Sequence, residues 1–114
     1  MNNVTLNNGV SIPQLGLGVF QTPDGKQTED AVRWALESGY RHIDTAKIYG
    51  NEDSVGKAIK ESNIKREDIF LTTKLWNEDI RQGRTKEAFE ESLKALQTDY
   101  VDLLLIHQPF GDYY

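Results

Sequence analysis

The sequence has no cysteine and only two histidines, His42 and His107. Without thiols there are no disulfides and no thiolate metal sites, which fits a reducing compartment and gives the expectation of a cytoplasmic protein. With so few imidazoles, a histidine-rich metal centre is not expected either. Long apolar runs are missing as well. The longest, "VDLLLI" at residues 101–106, is far too short to cross a bilayer, so no membrane association is expected. Basic clusters are absent: 13 Lys and Arg face 18 Asp and Glu, a net charge of −5. No stretch of positive charge is long enough to track a phosphate backbone, and nucleic acid is not an expected partner. The opening "MNNVTLNNGV" lacks the basic stretch and apolar segment of a secretory leader. There is no internal repeat and no low-complexity linker.

What remains is 114 residues, the size of one small domain, with a strongly patterned order. "VTLNNGVSIPQLGLG" reads as two short strands around Asn8-Gly9, a strong hairpin signal, and "QLGLGVF" starts a further strand. "PDGKQTEDAVRWALESG" predicts a helix with Asp24 and Gln27 at capping-box spacing and Gly39 at C′. Its buried face is expected at Ala31, Trp34, Ala35 and Ser38. "YRHID" is a short strand. A second helix follows from Asn51, read as its N-cap, through Val55, Ala58 and Ile59. "IFLTTKLW" is another strand, residues 84–96 a third helix striped by Phe89, Leu93 and Leu96, and "VDLLLIHQP" a last strand stopped by Pro109. After the hairpin the order is β-α-β-α-β-α-β, which argues for an α/β fold of parallel strands joined by crossover helices. "VDLLLI", apolar at every position but Asp102, predicts a strand buried on both faces.

Polar residues fall at meaningful places in this order. Asp44, Lys74 and His107 lie at or just past the carboxyl ends of three successive strands, and Tyr49 follows Asp44 in the loop before the next helix. In parallel α/β folds, and above all in (β/α)8 barrels, that edge is where chemistry is done. A free phenol titrates near 10 and donates protons poorly at neutral pH. An ammonium beside it favours the phenolate, and a carboxylate behind the ammonium holds it in place. An imidazole can orient a carbonyl oxygen and favour negative charge developing there. Such a set protonates an oxygen as a hydride arrives on the attached carbon. Spacing alone leaves the plainer readings open. Asp44 would satisfy a loop N–H, Lys74 would be a solvated strand-end charge, His107 a buried imidazole and Tyr49 a packing residue.

Together, "LNNGVSIPQLGLGVFQ", "GYRHIDTAKIYGNEDSVG", "IFLTTKLW" and "YVDLLLIHQP" resemble the aldo-keto reductases, in particular bacterial members of the diketogluconate reductase type. The resemblance covers essentially the whole chain. It implies reduction of aldehydes and ketones with NADPH on a (β/α)8 barrel, with Tyr49 as general acid, Lys74 assisting it, Asp44 holding Lys74, and His107 orienting the substrate carbonyl. It further implies cofactor contacts from Gly18, Val19, Phe20 and Asp44, and a substrate pocket formed by Phe20, Trp76, His107 and Gln108. No metal is implied. Gln108 stands where many relatives have Trp, which makes that wall more polar. "LQTDY" lacks the Gly often found before the last strand.

A (β/α)8 barrel usually needs ~250 residues. The resemblance therefore implies that residues 1–114 are the N-terminal half of the barrel: a hairpin, four parallel strands and three helices, with the C-terminal half absent from this chain. All four catalytic positions fall within that half, and most of the cofactor site falls outside it. Three readings compete. The residues belong to a working reductase completed by further polypeptide, with a small carbonyl compound as substrate and a C-terminal half-barrel as partner. Alternatively, they form a truncated or engineered half-barrel that self-associates through open edges and has no oxidoreductase activity by itself. In the third, the fold serves as a binding or scaffold module.

Overall fold

Strand β1 (Asn3–Thr5) pairs antiparallel with β2 (Ser11–Pro13) across the Asn8-Gly9 turn. Gly9 supplies the positive φ, 87°, that the turn requires. The computed structural model describes residues 2–111. Beyond the hairpin, β3 (Leu17–Gly18), β4 (His42–Asp44), β5 (Phe70–Leu75) and β6 (Leu103–Ile106) form one parallel sheet in chain order. The connections carry α1 (Lys26–Glu37), α2 (Glu52–Glu61), a short α3 (Asn77–Arg81) and α4 (Thr85–Leu96). The expected three helices are thus joined by a fourth, α3, whose five residues are too few to show a helical period. Among the described residues no helix is long and apolar enough to cross a membrane.

The register divides the strand residues between two faces. Gly18 pairs with Asp44, Asp44 with Thr72, and Lys74 with Leu105. Because side chains alternate with period two, Gly18, His42, Asp44, Phe70, Thr72, Lys74, Leu103 and Leu105 share one face. Leu17, Ile43, Leu71 and Thr73 share the other. The second face is covered by helices: Ile43 and Leu71 join Val32 and Leu36 of α1, Val55, Ala58 and Ile59 of α2, and Leu96 of α4 in the core. The hairpin closes the lower end of the first face. A carbonyl only accepts, so in the neutral imidazole His42 Nδ1 donates to the Pro13 carbonyl at 3.2 Å and Nε2 accepts from Thr72 Oγ1 at 2.9 Å.

Several expected details turn out differently. Helix α1 has Gly25 at its N-cap position and no side-chain cap. The predicted Asp24–Gln27 capping box does not form, because the Asp24 carboxylate accepts from Ser54 Oγ, which in turn accepts the Gly25 N–H at 2.6 Å. The cap is replaced by a link to α2. The buried face of α1 is Thr28, Val32, Ala35 and Leu36, and Trp34, expected inside, is 58% exposed. Both faces contain apolar residues, and docking on α2 decides between them. At the other end the expectation holds. Gly39 has φ 101°, its N–H donates to the Leu36 carbonyl, and the Tyr40 N–H donates to that of Ala35, a complete Schellman motif. Where a glycine was missing after α4, Gln97 itself takes the left-handed conformation, φ 54°.

The largest difference is β6. Its expected two-sided burial is not found: Leu104, Leu105 and Ile106 are all exposed. Among the described residues the strand is an edge paired with β5, and α4 packs against β5.

Candidate active site

Asp44 is the last residue of β4, Lys74 the penultimate residue of β5, and His107 directly follows β6. Register and parity send all three to the helix-free face of the sheet. Tyr49 reaches the same rim from a 3-10 turn, Lys47–Tyr49, in which the Tyr49 N–H donates to the Ala46 carbonyl and Gly50 (φ 72°) turns the chain toward α2. The turn is tied down from outside. Lys47 Nζ lies 2.8 Å from Glu91 of α4 and 3.3 Å from Asp79 of α3.

Lys74 is the hub. Its ammonium donates to Asp44 Oδ1 at 2.5 Å, to the Thr45 carbonyl at 2.9 Å and to Tyr49 Oη at 3.4 Å. The three donors of an ammonium thus have an acid, a carbonyl and the phenol as partners. The rings pack around this hub. Phe20 lies 5.3 Å from Tyr49, His107 stands edge-on to Tyr49 at 5.6 Å, and Trp76 stands edge-on to His107 at 5.5 Å. Next along the rim, Asn77 Nδ2 donates to Gln108 Oε1 at 2.8 Å.

Burial holds the His107 imidazole below its ordinary value near 6.5, and the Lys74 charge adds to this against the opposing pull of Asp44. His107 Nδ1 is buried with no hydrogen-bond partner among the described residues. Nε2 is therefore the ring nitrogen available to a ligand. Keeping the single proton there leaves only a lone pair, not an N–H, stranded in the interior. The expected result is an NMR titration of His107 with its midpoint below 6.5. Between that midpoint and 6.5 the unfolded chain binds a proton that the folded chain resists, so stability falls as pH drops through this window. A midpoint at or above 6.5 contradicts the burial.

Most of the sequence-predicted residues meet at this rim: Gly18, Phe20, Asp44, Tyr49, Lys74, Trp76, His107 and Gln108. Val19 lies apart from them. It is 0% exposed, its side chain belongs to the core, its N–H donates to the Asp44 carbonyl and its own carbonyl accepts from Asn51. β3 ends at Gly18, and Val19 is the first residue beyond it. Gly18, by contrast, has open space where a Cβ would stand, and Phe20 is 66% exposed.

Sequence reasoning missed Asn51. It occupies the N-cap position of α2 but makes no cap hydrogen bond. The Asn-Glu pair at a helix start matched a capping signal so well that nothing set it apart.

Parallel βα units with an Asp-Lys-Tyr-His rim at the carboxyl ends of the strands define the class of fold, a parallel α/β sheet with titratable side chains gathered at its carboxyl edge. Comparison with known proteins makes the assignment specific. Residues 14–114 match the Aldo/keto reductase family, and the chain belongs to it. It is 56% identical over 108 residues to a 9,11-endoperoxide prostaglandin H2 reductase of Trypanosoma cruzi, covering 95% of this chain and 38% of that protein. It is 51% identical over 113 residues to glyoxal reductase of Bacillus subtilis, covering 99% and 41%. Among solved structures, an aldo/keto reductase from Brucella melitensis superposes with a TM-score of 0.91 at 59% identity, covering 96% of this chain and 42% of that one. The chain thus spans about two fifths of the length of these relatives.

Proposed function

We propose that residues 1–114 are the catalytic N-terminal half of an NADPH-dependent reductase of small aldehydes and ketones. The observation that carries this reading is the Lys74 ammonium shared between Asp44 and the Tyr49 hydroxyl. The residues present suit the nicotinamide end of the cofactor. Gly18 leaves room over Asp44, Phe20 offers an exposed ring, and the second oxygen of Asp44 is a suitable acceptor for a ribose hydroxyl. When bound, the reduced nicotinamide supplies the hydride. Neutral His107 donates its Nε2 proton in a hydrogen bond to the substrate carbonyl oxygen and aligns it. As negative charge reaches that oxygen, Tyr49 transfers its proton to it. Lys74 stabilises the phenolate left behind, and Asp44 with the Thr45 carbonyl keeps Lys74 from drifting. The relatives named for glyoxal and methylglyoxal, and the polar Gln108 beside His107, favour small oxygen-rich carbonyl compounds as substrates.

The test is a fluorescence titration of NADPH, run beside NADH, on a full-length barrel carrying residues 1–114. Saturable binding and methylglyoxal reduction are expected, with NADPH preferred. Gly18→Ala is expected to fold normally, since its Cβ meets nothing within 4 Å, yet to weaken nicotinamide binding about tenfold by filling the space over Asp44. Absence of cofactor binding by the parent barrel contradicts the proposal.

A second reading concerns the isolated chain and rests on β6. With Leu104, Leu105 and Ile106 exposed on an edge strand and Phe110 exposed beyond its end, the 114-residue polypeptide is expected to self-associate and to turn over little or no substrate. Sedimentation shows this as dimers or larger species. A monodisperse monomer that melts cooperatively rules it out.

A further inference from the structure

Three segments hold the rim: the loop after β3 that carries Phe20, the end of β4 that carries Asp44 and Thr45, and the turn that carries Tyr49. One side chain touches the first two and is covalently next to the third. Asn51 is 0% exposed. Its Nδ2 donates to the Val19 carbonyl at 2.9 Å and to the Thr22 carbonyl at 3.1 Å, while its Oδ1 accepts from Thr45 Oγ1 at 2.9 Å. Both amide protons and the amide oxygen are used, and the bonds to Val19 and Thr45 are buried, where an unmade partner is costly.

We propose that Asn51 is a positioning residue of the active site, setting Phe20 against Tyr49 and the Thr45 carbonyl against Lys74. This rests on the reductase reading for its catalytic consequence but not for its geometry. The Phe20 side chain is mostly solvent-exposed, so packing alone holds it poorly. Its loop has the strained Gln21, φ 62°, which persists only where the surroundings enforce it. The Val19 carbonyl accepts from the Thr22 N–H and from Asn51, and the Thr22 carbonyl accepts from Asn51. On the other side, the Thr45 carbonyl accepts from Lys74 Nζ at 2.9 Å, and the Thr45 hydroxyl fixed by Asn51 belongs to the same residue. Losing the amide therefore loosens a wall of the pocket and one of the three partners of the catalytic ammonium, without removing any group that touches substrate.

Two substitutions separate positioning from mere folding. Asn51→Ala removes all three bonds. Thr45→Val removes one and keeps the side-chain shape, and Thr45→Ser restores the hydroxyl. In the barrel carrying this chain, Asn51→Ala is expected to raise hydrogen exchange at the Thr22 amide at least about tenfold while the β4 and β5 amides keep their protection. It is also expected to remove the Phe20–Tyr49 ring contact seen by NMR. The same variant is expected to lower kcat for methylglyoxal about tenfold or more with a smaller change in KM. Thr45→Val should give a lesser drop that Thr45→Ser restores. If Asn51→Ala does not fold, the Thr45 pair decides by itself. Unchanged ring contact and loop exchange in Asn51→Ala overturn the proposal, as does equal kcat in the Thr45 variants. An inactive parent barrel counts against the reductase reading and leaves the exchange and NMR outcomes to judge Asn51.

Discussion

Tyr49→Phe in a full-length barrel carrying this chain is expected to lower kcat for aldehyde reduction by about 10²–10⁴-fold, the usual contribution of a positioned general acid, and to leave the melting temperature nearly unchanged. The asymmetry follows from the geometry. The hydroxyl has one hydrogen-bond partner among the described residues, Lys74 at 3.4 Å, and Lys74 keeps two shorter bonds, to Asp44 and to the Thr45 carbonyl, when it is gone. The Tyr49 ring, which packs against the core and lies between Phe20 and His107, is retained in Phe. Steady-state kinetics with methylglyoxal, beside a thermal melt, checks both halves. A variant that reduces a reactive aldehyde as fast as the parent removes Tyr49 from the mechanism.

Gly56→Ala is expected to have the largest effect on stability. Gly56 lies inside α2, and a Cβ there would sit 2.6 Å from the backbone carbon and oxygen of Leu96, the last residue of α4. Alanine favours a helix over glycine by about 1 kcal/mol. The clash, however, is with main chain, which cannot rotate away as a flexible side chain would. Overpacking of this kind costs about 1–3 kcal/mol, and here α2 and α4 must move apart above Leu71 and Ile59. With the helix gain set against the clash, a net loss of about 1 kcal/mol corresponds to a fall in Tm of roughly 5 °C for a domain of this size. Urea unfolding or a thermal melt measures it, with Gly18→Ala as the control that has space for its methyl group. A Gly56→Ala variant as stable as the control contradicts the close α2–α4 contact.

Element order and the place of each reactive residue were legible because both depend on local pattern. Alternating strand and helix signals give a parallel sheet, and a polar residue ending an apolar strand gives a rim residue. Asp44, Lys74 and His107 follow from those two rules with no knowledge of contacts. Which face of α1 turns inward did not follow, since Trp34 and Val32 are both apolar and only the helix packed against them chooses. Asp24 and Asn51 misled for the same reason. Each carries the side chain of a cap, and in each case partners outside the helix take the hydrogen bonds, Ser54 for one and the Val19 and Thr22 carbonyls with the nearby Thr45 hydroxyl for the other.

The strand β6 shows the limit most directly. An almost wholly apolar run records what a strand was built to meet on both sides, and burial depends on what actually stands there. By itself the sequence determined the parallel β/α order and which residues reach the reactive edge, because chain alternation and strand ends are properties of consecutive residues. Tertiary structure alone decided the Lys74 hub, the withdrawal of Val19 into the core and the three-way grip of Asn51. Each depends on distances between segments some 25 to 32 positions apart, or in the Thr45 bond on how a tight loop folds back, and no local pattern encodes these.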